Sequence, residues 1–133
     1  METLPKGKVL VVDDDQDLTK LLVMMLGGVG FQAEGVYTGQ AALEWLKRER
    51  PIAIILDIMM PDISGFTILQ QLRSDDSTAE LPIVMLSSKP ESTGRPASLA
   101  AGADAYFAKP ATARQLADEL KSLLAKRATR KLG

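Results

Sequence analysis

The sequence predicts an α/β fold, a doubly wound five-stranded parallel sheet made of five consecutive strand–helix units, (βα)5. Three observations carry this. Five short apolar segments rich in β-branched or aromatic residues recur along the chain. Segments with apolar residues at helical spacing lie between them and after the last. Three of the five, 9–12, 52–56 and 83–86, are nearly continuous apolar runs, the pattern of parallel strands covered on both faces. Right-handed crossovers then place helices on both sides of the sheet. A chain of 133 residues suits one such domain, and it shows no internal repeat or low-complexity block.

The first strand, 9–12, runs into three consecutive acids. Leu18, Leu21, Leu22, Met25, Leu26 and Val29 then recur at helical spacing, and Gly27, Gly28 and Gly30 are expected to stop that helix. After a second strand, 32–37, Ala42, Leu43, Trp45 and Leu46 mark a helix opened by Thr38 as N-cap. The third strand, 52–56, ends at Asp57; Ser64 is placed to cap the next helix, through Phe66, Ile68, Leu69 and Leu72. The fourth strand, 83–86, leads into Ser87 and Ser88. Beyond it, Gly94 and Pro96 argue against one continuous helix, because proline suits only a first turn. The expectation for 90–101 is a loop or single turn, then a short helix over 96–101 ended by Gly102. The fifth strand, 105–108, meets Lys109-Pro110, and the last helix opens on Thr112-Ala113-Arg114-Gln115, a capping box. That helix buries Leu116, Leu120, Leu123 and Leu124.

Ligands of such sheets bind beyond the carboxyl ends of the strands. Here those ends carry Asp13-Asp14-Asp15, Asp57, Ser87-Ser88 and Lys109-Pro110, all on one edge. Crowded carboxylates resist ionising without compensation, and a divalent cation with hard oxygen ligands supplies it. Asp13, Asp14 and Asp57 count −3, the cation +2 and Lys109 +1, so the site balances only with metal. An aspartate beside Mg²⁺ and an ammonium group can attack phosphorus to form an acyl phosphate. Phosphoryl transfer needs positioning and charge neutralisation more than proton transfer. Ser87 is placed to hydrogen-bond a phosphoryl oxygen. Each element also has a plainer use. An acidic run after a strand caps a helix as readily as it binds metal, serines there form turns, and Lys-Pro is commonly a solvated turn. Their convergence on one edge is what separate caps do not explain.

Composition narrows the chemistry further. With no cysteine and no histidine, thiolate sites, Cys or His catalysis and most transition-metal sites are excluded. Apolar residues make up 46% and charged residues 25%, and the net charge is −1, which leaves no general attraction for nucleic acid. No apolar run approaches the roughly 18 residues of a membrane span, and the first residues lack a signal-peptide core, so a cytoplasmic location is expected.

These motifs resemble the receiver domain of bacterial response regulators, over nearly the whole chain from Lys8 to about Leu124. The resemblance rests on Val-Leu-Val-Val-Asp-Asp-Asp (9–15), Asp-Ile-Met-Met-Pro-Asp-Ile-Ser-Gly (57–65), Met-Leu-Ser-Ser (85–88) and Ala-Gly-Ala-Asp-Ala-Tyr-Phe-Ala-Lys-Pro (101–110). It implies the flavodoxin-like strand order 2-1-3-4-5, with Asp57 as phosphoacceptor. Asp13 and Asp14 would be the acidic pair for Mg²⁺ or Mn²⁺, joined by Asp57 and the backbone carbonyl of Met59. Ser87 would turn toward the phosphoryl group, Lys109 would pair with it, and Lys109–Pro110 would be cis. Tyr106 would change rotamer as Ser87 moves, although a plain core aromatic with its hydroxyl at the surface remains the alternative. Asp15 lies outside the family's pair and is expected to cap the first helix.

The resemblance also implies a signalling domain that catalyses only its own phosphorylation and dephosphorylation. Its expected partners are a sensor histidine kinase or histidine phosphotransfer protein and a downstream output protein or domain, with no direct nucleic-acid or membrane contact. A monomer or a phosphorylation-linked homodimer is expected. Residues 1–124 are expected to be the receiver domain and 125–133 a tail or the start of a linker. The alternative is a receiver cut from a larger response regulator with a DNA-binding or enzymatic output domain. Two departures stand out. Ser88 occupies a position where alanine or glycine is frequent, and Gly94 and Pro96 interrupt the usual fourth helix, whose expected shortening puts the output face in question. Two rivals fit less well. A haloacid-dehalogenase-type enzyme would carry a second aspartate where Met59 stands. A nucleotide- or flavin-binding module would need a glycine-rich turn where Asp13–Asp15 stand.

Overall fold

A computed structural model of the chain describes residues 6–132, with side chains described up to residue 129. The elements alternate throughout. They are β1 (Lys8–Val12), α1 (Gln16–Gly28), β2 (Gln32–Val36), α2 (Gly39–Arg48), β3 (Ala53–Leu56), α3 (Gly65–Ser74), β4 (Ile83–Ser87), α4 (Glu91–Ala100), β5 (Ala105–Ala108) and α5 (Ala113–Leu132). All four strand pairings are parallel and the order is β2-β1-β3-β4-β5. The doubly wound (βα)5 sheet is thus the observed architecture.

The apolar runs are explained by burial on both faces. Along β1, Val9 and Val11 join Leu22 and Leu26 of α1 and Leu116, Leu120 and Leu124 of α5. Leu10 and Val12 point to the other face, with Trp45 and Leu46 of α2 and Ile68, Leu69 and Leu72 of α3. The side-chain period of a strand is two, so a strand covered on both faces has no position at which to place a polar residue. Among the described residues no helix is long and apolar enough to cross a membrane.

The caps sit where the sequence places them. Asp15 accepts from the Leu18 N–H, Thr38 from Ala41 and Ser64 from Phe66. Thr112 and Gln115 bond reciprocally: the Thr112 N–H reaches Gln115 Oε1 at 2.9 Å and the Gln115 N–H reaches Thr112 Oγ1 at 3.1 Å. The end of α1 differs from expectation. Gly27 and Gly28 are still helical, and Gly30, at φ 100°, makes the turn into β2.

The fourth helix is the larger correction. Instead of a short segment over 96–101, α4 runs for ten residues from Glu91 to Ala100, with Pro96 inside it, and Gly102 follows at φ 106°. Pro90 starts the helix without a side-chain cap, and its carbonyl accepts from Gly94 at 2.8 Å. Pro96 has no N–H to offer the Ser92 carbonyl. Ser92 is exposed, so water can serve that carbonyl. An interior proline costs about 3 kcal/mol and a glycine about 1 kcal/mol relative to alanine, and tertiary packing has overridden both.

Candidate functional site

The strand order reverses between β1 and β3, and the acids lie at the carboxyl ends of those two strands. The Asp57 N–H donates to the Val12 carbonyl at 2.9 Å and the Asp13 N–H to that of Val36 at 3.2 Å, so the sheet ladder itself positions both residues. Asp13 and Asp57 are buried while Asp14 is exposed. Asp13, Asp14 and Asp57 each offer a carboxylate oxygen within 4.8 Å of the others. Lys109, carried on the loop after β5, reaches across: its Nζ lies 2.7 Å from Asp13 Oδ2 and 3.6 Å from Asp57 Oδ2. The Lys109–Pro110 peptide bond is cis.

Local bonds fix the carboxylates. The Asp15 N–H donates to Asp13 Oδ1 at 3.0 Å, and the Met59 N–H to Asp57 Oδ1 at 3.3 Å. Gly65 permits the turn that follows Asp57. A Cβ there would come within 2.1 Å of the Asp57 main-chain oxygen, so the motif needs glycine for close approach rather than for an unusual φ. The Met59 side chain is exposed and Ser87 is fully buried, its Oγ accepting from the Lys89 N–H at 3.3 Å. Tyr106 is also fully buried, and its hydroxyl donates to the Lys89 carbonyl.

The charges are unbalanced by the protein alone. Burial and the neighbouring Asp13 push the Asp57 carboxyl up to about 6, against the opposing pull of Lys109. Burial by itself would lower the Lys109 ammonium, but its bond to Asp13 and the charges of Asp13 and Asp57 outweigh that and hold it above its ordinary value. Three carboxylates and one ammonium leave a formal −2. With hard oxygen donors in reach of one another, this set fits a divalent cation.

Asp62 is a residue the sequence reading missed. It stands within the 57–65 motif, and its two oxygens accept from the first amides of α2, Gly39 at 3.0 Å and Gln40 at 2.9 Å. The carboxylate thus sits at the positive end of a helix and ties the loop after Asp57 to α2. Its place within the 57–65 motif was the one visible signal, but the helix start it serves lies more than twenty residues upstream. These two amides, Gln40 first, hold the Asp62 carboxyl below the usual range. Its stabilising bond is therefore complete above the unfolded carboxyl value of about 3.9 and is lost as pH falls through the lower folded value. Acid titration followed by NMR is expected to shift the Gly39 and Gln40 amides together, with a midpoint below about 3.9. In Asp62→Asn that joint transition disappears; its persistence would contradict the assignment.

Comparison with known proteins agrees with this geometry. A family model described as the response regulator receiver domain matches residues 9–121. The transcriptional regulatory protein GltR of Pseudomonas aeruginosa is 38% identical over 116 residues, which cover 87% of this chain and 48% of that protein. A response regulator receiver domain protein (CheY-like) from Methanospirillum hungatei superposes with a TM-score of 0.85 at 25% identity, covering 95% of this chain and 99% of that one. The signal receiver domain of a signal transduction histidine kinase from Syntrophus aciditrophicus gives 0.80 at 31% identity, covering 91% and 92%. The chain spans about half the length of the curated relatives it matches. With its sheet order, its acidic edge and these matches in agreement, the chain belongs to the response regulator receiver domain family, the signalling domain of two-component systems.

Proposed function

We propose that the chain is a phosphorylation-dependent switch in which Asp57 accepts a phosphoryl group from the phosphohistidine of a sensor histidine kinase or histidine phosphotransfer protein. The observation that carries this is the meeting of Asp57 with Asp13, Asp14 and Lys109 at one strand edge. A carboxylate oxygen of Asp57 attacks phosphorus; the new P–O bond forms as the donor's P–N bond breaks, leaving the electron pair on the donor imidazole. Lys109 balances negative charge at the phosphoryl group, and Ser87 turns its hydroxyl to donate to a phosphoryl oxygen. Asp13, Asp14 and Asp57, with the Met59 main-chain carbonyl, would hold Mg²⁺ or Mn²⁺, whose positive charge offsets that of the phosphoryl oxygens. Catalysis is limited to the domain's own phosphorylation and dephosphorylation. These 133 residues contain no histidine, so the phosphohistidine donor lies outside them.

The domain acts in the cytoplasm as a monomer or a phosphorylation-linked homodimer and signals to a downstream protein or domain. Residues 1–124 are the receiver unit and 125–133 its tail or the start of a linker. The length of the relatives favours a second reading of the context. A receiver spanning 48% of a transcriptional regulatory protein is compatible with a larger response regulator whose output domain binds DNA or is an enzyme.

Incubation with a small acyl phosphate, with and without Mg²⁺, tests the central claim. One phosphoryl group is expected on the peptide containing Asp57, and only with the metal present. Labelling that is independent of divalent cation, or that maps to another carboxylate, would overturn it.

A further inference from the structure

Helix α4 is built unlike its neighbours. The others each bury at least two large apolar side chains: Leu22 and Leu26 in α1, Trp45 and Leu46 in α2, Ile68, Leu69 and Leu72 in α3, Leu116, Leu120 and Leu124 in α5. The buried residues of α4 are Gly94 and Ser98, while Leu99 is 46% exposed. The Ser98 hydroxyl finds no hydrogen-bond partner among the described residues. The helix also lacks a side-chain N-cap and contains both Gly94 and Pro96. Its own sequence thus supplies neither propensity nor an apolar face, the two usual sources of helix stability.

What holds it is one residue of β5. The Tyr106 ring is fully buried against Gly94, where a Cβ would come within 2.3 Å of the ring Cζ and the hydroxyl oxygen. The hydroxyl donates to the Lys89 carbonyl just before the helix. Arg95 donates from Nη2 to the Tyr106 main-chain carbonyl at 3.0 Å and from Nε to Glu91 at 2.9 Å. Both ends of the first helical turn are thereby tied to Tyr106, whose ring supplies the apolar surface that α4 lacks.

We propose that α4 is folded conditionally: Tyr106, seated between Lys89 and Gly94, holds residues 91–100 as a helix, and α4 unwinds when the ring leaves that seat while the rest of the sheet persists. The α4 face is then made and unmade by ordering a segment, rather than moved as a rigid body. The seat adjoins the acidic site through one residue, since the Lys89 N–H bonds to Ser87 Oγ while its carbonyl receives Tyr106. A reorientation of Ser87 toward a phosphoryl group would release that N–H; only this link rests on the phosphoacceptor reading of Asp57.

Amide hydrogen exchange on the unphosphorylated chain tests the proposal independently of that reading, using wild type, Gly94→Ala and Tyr106→Phe. Alanine is the better helix former, so a helix held by its own propensity would exchange about fivefold more slowly in Gly94→Ala. The conditional helix gives the opposite sign. Exchange over 91–101 is expected to rise roughly tenfold, well beyond any rise in β1 and β3. Tyr106→Phe, which keeps the ring and removes the hydroxyl, is expected to move the same segment in the same direction by a smaller factor. Slower or unchanged exchange over 91–101 in Gly94→Ala would overturn the proposal, as would equal increases in α4, β1 and β3.

Discussion

Replacing Asp57 with asparagine is expected to abolish acyl-phosphate labelling while making the metal-free protein more stable at neutral pH. The loss follows from the missing nucleophilic oxygen, because an amide does not attack phosphorus as a carboxylate does. The gain follows from the electrostatics. Burial and Asp13 raise the folded carboxyl to about 6, above the unfolded value of about 3.9. The folded state then binds its proton more tightly than the unfolded state. Stability is gained as pH falls from about 6 toward 4 and is reduced above that window. After discounting for solvent screening, the reduction near pH 7 is about 1–2 kcal/mol. The asparagine side chain carries no charge and avoids it. Urea unfolding in a chelator is expected to show Asp57→Asn above wild type by about that amount at pH 7, with the gap closing toward pH 4. A variant that still labels sinks the phosphoacceptor assignment. A stability gap that does not change with pH sinks the electrostatic account and leaves the first intact.

Arg73→Ala is expected to cause a large loss of stability without touching the site. The Arg73 side chain, only 19% exposed, ties α3 to two segments, 79–81 and 102–104. Its Nε donates to the Gly102 carbonyl at 2.8 Å, and its Nη1 to those of Leu81 at 2.7 Å and Ala79 at 3.1 Å. Its Nη2 pairs with Asp104 Oδ2 at 3.0 Å, the same oxygen that accepts from the Ile83 N–H at 2.8 Å. Truncation strips a charged donor from these carbonyls and leaves Asp104 without its cation. The cost is about 3 kcal/mol, since bonds to charged groups exceed the neutral average and part-buried acceptors are left unmet. The urea midpoint should fall with an unchanged slope; a loss below about 1 kcal/mol would mean that water replaces the guanidinium.

Most of the fold was legible because its signals are local. Apolar runs mark strands covered on both faces, and Asp15, Thr38, Ser64 and the Thr112–Gln115 pair each act within three residues of themselves. The acidic edge was legible for a related reason. In a parallel sheet of this winding every strand ends on the same side, so Asp13, Asp57, Ser87 and Lys109 could be placed together from strand ends alone. Beyond the end of α1, where Gly27 and Gly28 stay helical, what the sequence did not show is decided by distant residues. Gly94 and Pro96 are poor helix residues by any local rule, and α4 forms through Tyr106, a residue twelve positions beyond Gly94 whose ring needs the space that glycine leaves. Asp62 serves a helix that begins at Gly39, far outside its own motif. Arg73 binds loops up to 31 residues away, which no local pattern signals.

The sequence by itself determined the (βα)5 architecture, the helix caps and the set of charged groups at the strand ends, because periodicity, capping and strand direction are properties of neighbouring residues. Tertiary structure alone decided how Lys109 divides itself, at 2.7 Å from Asp13 and 3.6 Å from Asp57. It also decided that Asp57 is burdened by burial before any ligand arrives, and that α4 exists at all. Each of these is set by distance and desolvation between groups brought together only by closing the sheet, and neither quantity is carried by any segment alone.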